Sequence, residues 1–413
     1  MNERLIVDRL GAQGDGIAER GQGAVFVPYA LAGETVTAEV KGNRATLLSV
    51  EEASPLRIEP ACRHFGTCGG CAIQHLEADA YRAWKRDIVL QTLHSRGIEA
   101  RVDELVPCAP HSRRRATFAA RRTEAGMLLG FNRANSGEIV AIEECPIMVP
   151  AIESALGGLR RVAEAVCATG QPFHLGVTAT ASGLDVAATD SGRLDDERRR
   201  AAIRVAMQEG LARLSVDGEV LIEPRKPQVA FDGISVALPP GSFLQATESA
   251  ENAMAALVTA HLSRARAVAD LFSGCGTFAL RLSRKSAVHA VEGDAAALVA
   301  LDRGAREASG LKRVTTQRRD LFRRPLTFKE LARFDGLVFD PPRAGAEEQA
   351  RQIARSEIPA VVAVSCAPAT LARDLRILVD GGYRVASVTP IDQFLWSPHV
   401  EAVALLEKPK KRR

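Results

Sequence analysis

The chain has 413 residues and a mass of 44.2 kDa, with 46% hydrophobic and 25% charged residues. This composition excludes an intrinsically disordered or collagen-like chain, and the length predicts two or three domains. No apolar run approaches the roughly 18 to 20 residues of a membrane span, and the N-terminus lacks the cationic stretch and apolar core of a signal peptide. We therefore expect a soluble, cytoplasmic protein. We also expect a monomer.

The distribution of charge is more informative than its sum. Lysine and arginine outnumber aspartate and glutamate by only 54 to 50, a net charge of +4. Residues 101–133, however, contain seven arginines against three acidic residues, and five of the last six residues, 408–413, are basic. Such runs are often solvated surface or a tail, but they also suit nucleic-acid phosphates. The candidate phosphate contacts are Arg113, Arg114, Arg115, Arg121 and Arg122.

The first 50 residues contain short β-rich runs separated by glycines, at 5–7, 24–27, 35–40 and 46–50. This pattern predicts a small antiparallel barrel of the kind that often binds oligonucleotides. Any other small β-domain would give a similar pattern.

The next part of the chain has a mixed pattern. Residues 77–96 predict a helix, with Tyr81, Trp84 and Ile88 on one face and Gly97 in the C-cap position. Between 112 and 240, helices are predicted to begin near Pro150 and Asp195, and residues 174–190 and 211–224 predict antiparallel strands.

After residue 241, apolar strands alternate with amphipathic helices. The predicted strands are 267–272, 287–292, 335–340, 360–365, 383–389 and 400–406. This alternation predicts a largely parallel, Rossmann-like α/β sheet, which binds ligands at the carboxyl ends of its strands.

Three polar loops follow successive strands of this predicted sheet. Asp270 leads into a loop with Gly274 and Gly276, Glu292 ends the next strand, and Asp340 precedes two prolines. The glycines allow a tight turn and close approach to a ligand, and Glu292 is placed to accept ribose hydroxyls. The third glycine of a dinucleotide fingerprint is missing, and acidic residues would repel a pyrophosphate. The pattern favours S-adenosylmethionine, which carries an ammonium and a sulfonium.

Cys366 and Glu401 are the candidate catalytic pair. A lone cysteine is more often a buried structural thiol, but Cys366 follows a predicted strand at the edge that holds the cofactor loops. A thiolate there can add to C6 of a pyrimidine, which makes C5 nucleophilic toward an electrophilic methyl group. The C5 proton must then leave before the thiolate is released, and Glu401 is the candidate base.

Three cysteines lie within ten residues, Cys62, Cys68 and Cys71, in a glycine-rich segment. Because the cytoplasm is reducing, they indicate a metal site rather than disulfides, and both zinc and an iron-sulfur cluster suit thiolates. Cys145, which precedes a proline, is the favoured fourth ligand, and Cys108 is the rival. The spacing differs from that of radical enzymes, so a structural role is the simpler interpretation.

Taken together, these segments resemble the RNA uracil-5-methyltransferase family over nearly the whole chain. The most specific matches are Ser365 to Asp374, His399-Val400-Glu401, Asp270 to Gly276, Phe339 to Arg343 and the cysteines 62, 68, 71 and 145. The resemblance implies that Cys366 is the nucleophile and Glu401 the proton acceptor. It implies that S-adenosylmethionine is held by Gln245, Phe272, Thr277, Glu292, Asp320 and Asp340. It also implies a four-iron four-sulfur cluster on Cys62, Cys68, Cys71 and Cys145. The chain departs from the family pattern at Ala367, at Thr277 and in the segment before Gln245.

The resemblance also predicts domains and a substrate. Residues 1–54 are similar to a TRAM domain, an RNA-binding barrel, residues 55–240 would form a mixed α+β domain carrying the cluster, and residues 241–413 would form the catalytic domain. These features look more like enzymes acting on 23S ribosomal RNA than like the transfer-RNA enzyme. The alternatives are a tRNA uracil-5-methyltransferase, a cytosine-5 RNA methyltransferase and a non-catalytic iron-sulfur RNA-binding protein.

Overall fold

The structure, a computed structural model, describes residues 2–21 and 23–409. Its N-terminal part is a six-stranded sheet with the order β1-β5-β6-β4-β3-β2. The strands are β1 (Asn2–Ile6), β2 (Arg9–Leu10), β3 (Asp15–Arg20), β4 (Gly23–Pro28), β5 (Thr35–Lys41) and β6 (Arg44–Glu52). Alternate residues such as Val25, Val27, Val36 and Ala38 are buried in its small core.

Helix α1 (Ala78–His94) follows, as the apolar spacing predicts. The Glu77 carboxylate accepts hydrogen bonds from the backbone N–H groups of Asp79 and Ala80, which caps the helix. Tyr81 and Trp84 pack in a small cluster with Ile73, while Val89 and Leu93 belong to the core of the C-terminal sheet. The helix therefore packs against the small cluster around Ile73 at its N-terminal end and against the core of the C-terminal sheet at its C-terminal end.

The middle of the chain forms a seven-stranded sheet with the order β13-β12-β11-β10-β7-β8-β9. Its strands are β7 (Arg115–Thr123), β8 (Gly126–Asn132), β9 (Ile139–Ala141), β10 (Phe173–Thr180), β11 (Gly183–Thr189), β12 (Arg213–Val216) and β13 (Glu219–Ile222). The helices are α2 (Pro150–Glu153), α3 (Leu156–Val166) and α4 (Asp196–Gln208). The sheet is antiparallel except for the parallel pair β11–β12, which α4 connects. A separate hairpin, β14 (Gln228–Phe231) and β15 (Ile234–Ala237), precedes the last sheet.

The C-terminal sheet has seven strands in the order β18-β17-β16-β19-β20-β22-β21. Its strands are β16 (Ala267–Leu271), β17 (Ala287–Glu292), β18 (Val314–Arg318), β19 (Gly336–Phe339), β20 (Ala360–Ser365), β21 (Arg384–Ile391) and β22 (Glu401–Glu407). The helices are α5 (Glu248–His261), α6 (Ala279–Leu282), α7 (Ala295–Glu307), α8 (Phe328–Leu331), α9 (Glu347–Ala354) and α10 (Pro368–Asp380).

Strands β16 to β20 of this sheet pair in parallel, whereas β22 is antiparallel to both β20 and β21. The predicted α/β class is confirmed. Strand β18 was not among the predicted strands, because Val314–Arg318 is a half-exposed edge strand with mostly polar residues. None of the helices in residues 2–21 and 23–409 is long and apolar enough to cross a membrane. The expected monomeric state and cytoplasmic location stay predictions.

Candidate active site

A strained glycine loop follows β16. Phe272, Gly274 and Gly276 all have positive φ, at 61°, 51° and 101°. A Cβ at Gly276 would lie 2.9 Å from Leu301 Cγ, so only glycine fits there, whereas a Cβ at Gly274 would meet open space. Positive φ at a phenylalanine is costly and is typically found where function requires it. The loop therefore presents its backbone to an open volume at the carboxyl end of the sheet.

The Glu292 carboxylate at the end of β17 holds this loop. Oε2 accepts a hydrogen bond from Gly274 N at 2.9 Å, and Oε1 accepts from Gly293 N at 2.6 Å and from Asp294 N at 3.0 Å. A carboxylate has about four acceptor sites, and these bonds use three of them. One acceptor site on Oε2 is left for a ligand hydroxyl.

Asp270 and Ser273 supply buried polar atoms that lack partners. Within the described residues, no hydrogen bond of normal geometry reaches the Asp270 carboxyl or the Ser273 hydroxyl, although the backbone N–H of Ala279 lies close enough to Asp270 to oppose the effect of burial on its pKa. Burial raises the pKa of Asp270 well above its usual value. Buried polar groups are almost always satisfied, so these atoms fit a ligand with several donors. An aminoacyl group with an ammonium suits them.

A third strand end adds an aromatic pair and a carboxylate. The rings of Phe272 and Phe322 lie 5.4 Å apart between centroids, and Phe322 is 48% exposed. Asp320, exposed after β18, accepts hydrogen bonds from Phe322 N and Arg323 N. Phe322 was not predicted from the sequence, because a lone aromatic in a polar loop has no distinguishing pattern.

Cys366 and Glu401 lie at the ends of neighbouring strands. Ser365 of β20 pairs with Ala402 of β22, and the same antiparallel register places Cys366 opposite Glu401 one residue further along. Cys366 also lies directly before Ala367, the N-cap residue of α10. The two predicted catalytic residues are therefore brought together from positions 35 residues apart in the sequence.

Burial dominates the electrostatics of this pair. It raises the pKa of the Cys366 thiol to about 11, helped by the negative charges of Glu401 and Asp340 and opposed by Arg343. Burial raises the pKa of Glu401 well above its usual value, and the charge of Asp340 adds to that effect. The pKa of Asp340 itself is raised by burial to about 7. Such shifts are typical of catalytic groups.

Two buried glutamines connect the carboxylates of Asp340 and Glu401. Gln245 Nε2 donates to Asp340 Oδ2 at 3.0 Å, and Gln393 Nε2 donates to Gln245 Oε1 at 2.9 Å and to Glu401 Oε2 at 2.5 Å. Gln245 was predicted as a cofactor residue, but Gln393 was not. The only available signal was its position between the last two strands of the sheet.

The segment that carries Gln393 is anchored from α1. Lys85 is fully buried, and its ammonium donates to Asp392 Oδ1 at 2.6 Å, to Phe394 O at 2.9 Å and to His399 O at 2.6 Å. The Tyr81 hydroxyl donates to Asp392 Oδ2 at 2.8 Å. No local sequence pattern could have predicted these contacts, since the partners are more than 300 residues apart.

Comparison with known proteins identifies the family. A 23S rRNA (uracil(1939)-C(5))-methyltransferase from Halomonas elongata is 34% identical, and the alignment covers 99% of this chain and 90% of that protein. The chain belongs to the RNA uracil-5-methyltransferase family. A family model described as tRNA (uracil-5-)-methyltransferase matches residues 228–409.

A second sequence relative and one solved structure are also similar to the chain over nearly its whole length. A protein named as an uncharacterized RNA methyltransferase from Mesorhizobium japonicum is 66% identical over the full length of both chains. The crystal structure of Pyrococcus abyssi tRNA (uracil-54, C5)-methyltransferase with S-adenosyl-L-homocysteine has the same fold. Its TM-score is 0.75, with 22% identity, and the match covers 98% of this chain and 100% of that one. S-adenosylmethionine is the methyl donor of this RNA uracil-5-methyltransferase, and the unpartnered atoms of Asp270 and Ser273 fit it.

In this RNA uracil-5-methyltransferase, the four candidate cluster cysteines line one cavity of about 310 Å³. Burial raises the pKa of Cys71 to about 12 and that of Cys145 to about 11. Cys108, the rival ligand, lies elsewhere, buried with its sulfur 3.3 Å from Thr247 Oγ1. Across residues 2–21 and 23–409, no three cysteine, histidine or acidic side chains are grouped closely enough to hold a metal ion.

The same cavity continues to the segment that precedes Glu401. It is lined there by Arg113, Arg343, Phe394 and His399. The backbone beside the cysteines is tied to this segment, because Trp396 O accepts hydrogen bonds from Ala72 N at 2.8 Å and Ile73 N at 3.2 Å. The cysteine-rich loop and the segment before Glu401 are therefore in direct contact.

The basic segment divides into paired and unpaired arginines. Four of its seven arginines have acidic partners: Arg101, Arg114, Arg122 and Arg133. Arg114 is nearly buried against Glu251, so it is not available to phosphates. Arg113, Arg115 and Arg121 have no ion pair within the described residues. Of the basic tail, Lys410 to Arg413 lie outside the described residues, and Lys408 Nζ donates to two backbone carbonyls.

Proposed function

We propose that the protein methylates C5 of a uridine in 23S ribosomal RNA, forming 5-methyluridine through a covalent adduct between Cys366 and C6. The observation that carries this proposal is the placement of Cys366 opposite Glu401 beside the cofactor loops. The choice of 23S RNA is supported by the 34% identity to the Halomonas elongata enzyme over nearly the whole chain. A tRNA substrate is the alternative.

In the proposed reaction, the Cys366 thiolate adds to C6 of the uracil ring and the electrons move to the C4 carbonyl as an enolate. The cofactor supplies an electrophilic methyl group, which C5 then attacks. Glu401 removes the C5 proton, the C5–C6 double bond re-forms, and the thiolate is expelled. The target base must first leave its stack, at a cost of a few kcal/mol.

Burial raises the pKa of both Glu401 and Cys366, which favours the proposed role of Glu401 but opposes that of Cys366. A high pKa makes Glu401 a stronger base for the C5 proton, provided that it is ionised when the adduct forms. The high pKa of Cys366 opposes thiolate formation, and the Arg343 guanidinium acts in the other direction. Arg343 is therefore proposed to favour the reactive form of the nucleophile.

Each predicted cofactor residue is proposed to have a specific task. Glu292 has one free acceptor site for a ribose hydroxyl, and Phe272 offers its ring to the adenine base. Asp340 presents a carboxylate near the sulfonium, oriented by Gln245. Asp320 and Thr277 lie on the loops that border the site. Asp270, with its unpartnered oxygens, is proposed as a further contact for the aminoacyl group.

An aromatic and cationic surface beside the site is proposed to receive the RNA. Phe243, two residues before Gln245, is 66% exposed, and the Arg115 guanidinium lies 5.4 Å from its ring centroid. The Arg113 guanidinium lies 5.9 Å from the Phe394 ring. Phe394, Arg113 and Arg115 are half-buried, and burial lowers the pKa of both arginines. An exposed ring that can stack a base, next to arginines without an acidic partner, is typical of single-stranded RNA sites.

The domain division also stays a proposal: 1–54 as a TRAM-like RNA-binding domain, 55–240 as a cluster-carrying domain and 241–413 as the catalytic domain. It is supported by one sheet in the first range, another in the second and the Rossmann-like sheet in the third. The core of that last sheet also takes in residues between 89 and 105. The catalytic sheet thus uses chain from before position 241.

A four-iron four-sulfur cluster on Cys62, Cys68, Cys71 and Cys145 is proposed as a structural element. The four thiols line one cavity, and a bound metal would hold them in the thiolate form. A single zinc ion needs four sulfurs at about 2.3 Å, whereas a cluster distributes the cysteines over four iron atoms. No catalytic step uses it.

The test is incubation of the protein with tritiated-methyl cofactor and, separately, 23S RNA and tRNA lacking 5-methyluridine. We expect label on C5 of one uridine in 23S RNA and none with Cys366→Ala. Label on tRNA alone would show that tRNA is the substrate. Label on cytosine or on a ring nitrogen would overturn the assignment of uracil C5 methylation. Absence of label with every RNA would favour a non-catalytic binding protein.

A further inference from the structure

The two glutamines between Asp340 and Glu401 form an ordered chain of hydrogen bonds. Gln393 Oε1 accepts from the backbone N–H of Ala246 at 3.0 Å, so the nitrogen of that amide must face Gln245 and Glu401. Gln245 then presents its oxygen to Gln393 and its nitrogen to Asp340. Each carboxylate receives an amide N–H, and neither glutamine can flip without losing at least two hydrogen bonds.

Gln393 is itself held on both sides. It is 2% exposed, and its neighbour Asp392 is paired with the fully buried Lys85 at 2.6 Å. Strand β22 begins at Glu401, so the base lies at the end of a segment that begins with Gln393. The position of the Glu401 carboxylate is therefore set by one donor, whose own position is fixed by the backbone and by a buried ion pair.

We propose that Gln393 is a positioning residue that holds the Glu401 carboxylate for removal of the C5 proton. This proposal rests on the proposed function and concerns one step within it. Without the amide, Glu401 loses its hydrogen-bond donor in a buried site and is free to rotate. Methyl transfer needs Cys366 and the cofactor, whereas release of the product needs the C5 proton to leave. Gln393 also donates to Gln245, so loss of Gln393 should slow the second stage more than the first.

The experiment uses the full-length protein, Gln393→Met and, as a matched control, Gln349→Leu. Gln349 is equally buried on α9, and among residues 2–21 and 23–409 its amide bonds only the backbone of Leu326. With tritiated-methyl cofactor and 23S RNA, we expect Gln393→Met to accumulate labelled protein–RNA adduct that survives denaturing gels. Turnover should fall about 10- to 100-fold, while the KM for RNA stays within about twofold. The control should not accumulate adduct.

A double variant distinguishes an effect of Gln393 through Glu401 from a nonspecific loss of structure. If Gln393 acts through Glu401, then Glu401→Gln combined with Gln393→Met should turn over no more slowly than Glu401→Gln alone. Equal losses of adduct and product in Gln393→Met, or additive losses in the double variant, would overturn the proposal. Failure of the proposed function looks different, because the parent protein would then form no adduct with 5-fluorouridine RNA.

Discussion

Cys366 and Glu401 stand opposite each other one residue beyond the last paired residues of β20 and β22, Ser365 and Ala402. Adjacent antiparallel strands hold opposed residues within about 5.5 Å between Cα atoms. A flat pyrimidine ring between them can present C6 to one side chain and C5 to the other. The antiparallel end of an otherwise parallel sheet therefore determines where the proposed nucleophile and the proposed base lie.

The reactivity of Cys366 should depend on pH and on Arg343. Because burial and nearby carboxylates raise the thiol pKa to about 11, only a small fraction is thiolate at neutral pH. Single-turnover adduct formation with 5-fluorouridine RNA should rise about tenfold per pH unit between roughly pH 6 and 9. Arg343→Gln should slow it at every pH in this range. A rate independent of pH would mean that RNA binding lowers the thiol pKa below neutrality.

Glu292→Gln should weaken cofactor binding about 10- to 100-fold, because the carboxylate both holds the Gly274 backbone and keeps one acceptor site for a ribose hydroxyl. Titration calorimetry with S-adenosylhomocysteine measures the change directly. Glu307→Gln is the control, since Glu307 is an exposed residue on α7 that pairs only with Arg303. Unchanged affinity in Glu292→Gln would contradict the assignment.

Phe243→Ala should raise the KM for RNA by about 5- to 100-fold, the range for loss of one stacked base, with little change in kcat. Met207→Ala is the matched control, because Met207 is 55% exposed on α4, away from the cavity residues. Steady-state kinetics with a short 23S RNA fragment separate the two constants. A fall in kcat alone would mean that Phe243 contacts the cofactor rather than the RNA.

Lys85→Met should destabilise the fold by about 3–5 kcal/mol, because it leaves the Asp392 carboxylate buried without its cation. Urea denaturation followed by circular dichroism gives the free energy of unfolding. Lys41→Met, at an exposed lysine paired with Glu39, should change that energy by less than about 0.5 kcal/mol. Lys85→Met combined with Asp392→Leu should recover part of the loss. If Lys85→Met and Lys41→Met changed the free energy of unfolding equally, the Asp392 carboxylate would be hydrated in the variant rather than buried without a partner.

The proposed cluster predicts that Cys71→Ser removes the iron and sulfide from the protein purified without oxygen, and with them the visible absorption. The parent should contain about four iron atoms per chain. Cys167→Ser is the control, because Cys167 is buried in the core of the central sheet and its thiol donates only to Thr169 O. A colourless parent protein with one zinc ion per chain would show that the cysteines bind zinc rather than an iron-sulfur cluster.

The sequence was sufficient to predict those site residues that lie in short motifs at strand ends. The glycine loop, Cys366 and Glu401 each lie in a short motif at a strand end, so alternation of strands and helices was enough to place them at one edge. Phe322 and strand β18 lacked such a pattern. Gln393, Lys85 and Tyr81 act through partners distant in sequence, and a buried lysine on a helix face looks like any solvated one. Arg114 could not be told from its unpaired neighbours without its partner Glu251.

The ion pair between Lys85 and Asp392 has a consequence for engineering. A fragment beginning at residue 241 would contain the whole Rossmann-like sheet and both proposed catalytic residues, yet it would lack the cation that neutralises Asp392. Residues between 89 and 105 of its core would be missing as well. Transplanting this catalytic activity to another RNA-binding partner therefore requires a graft that starts before α1, with residues 78–108 carried along.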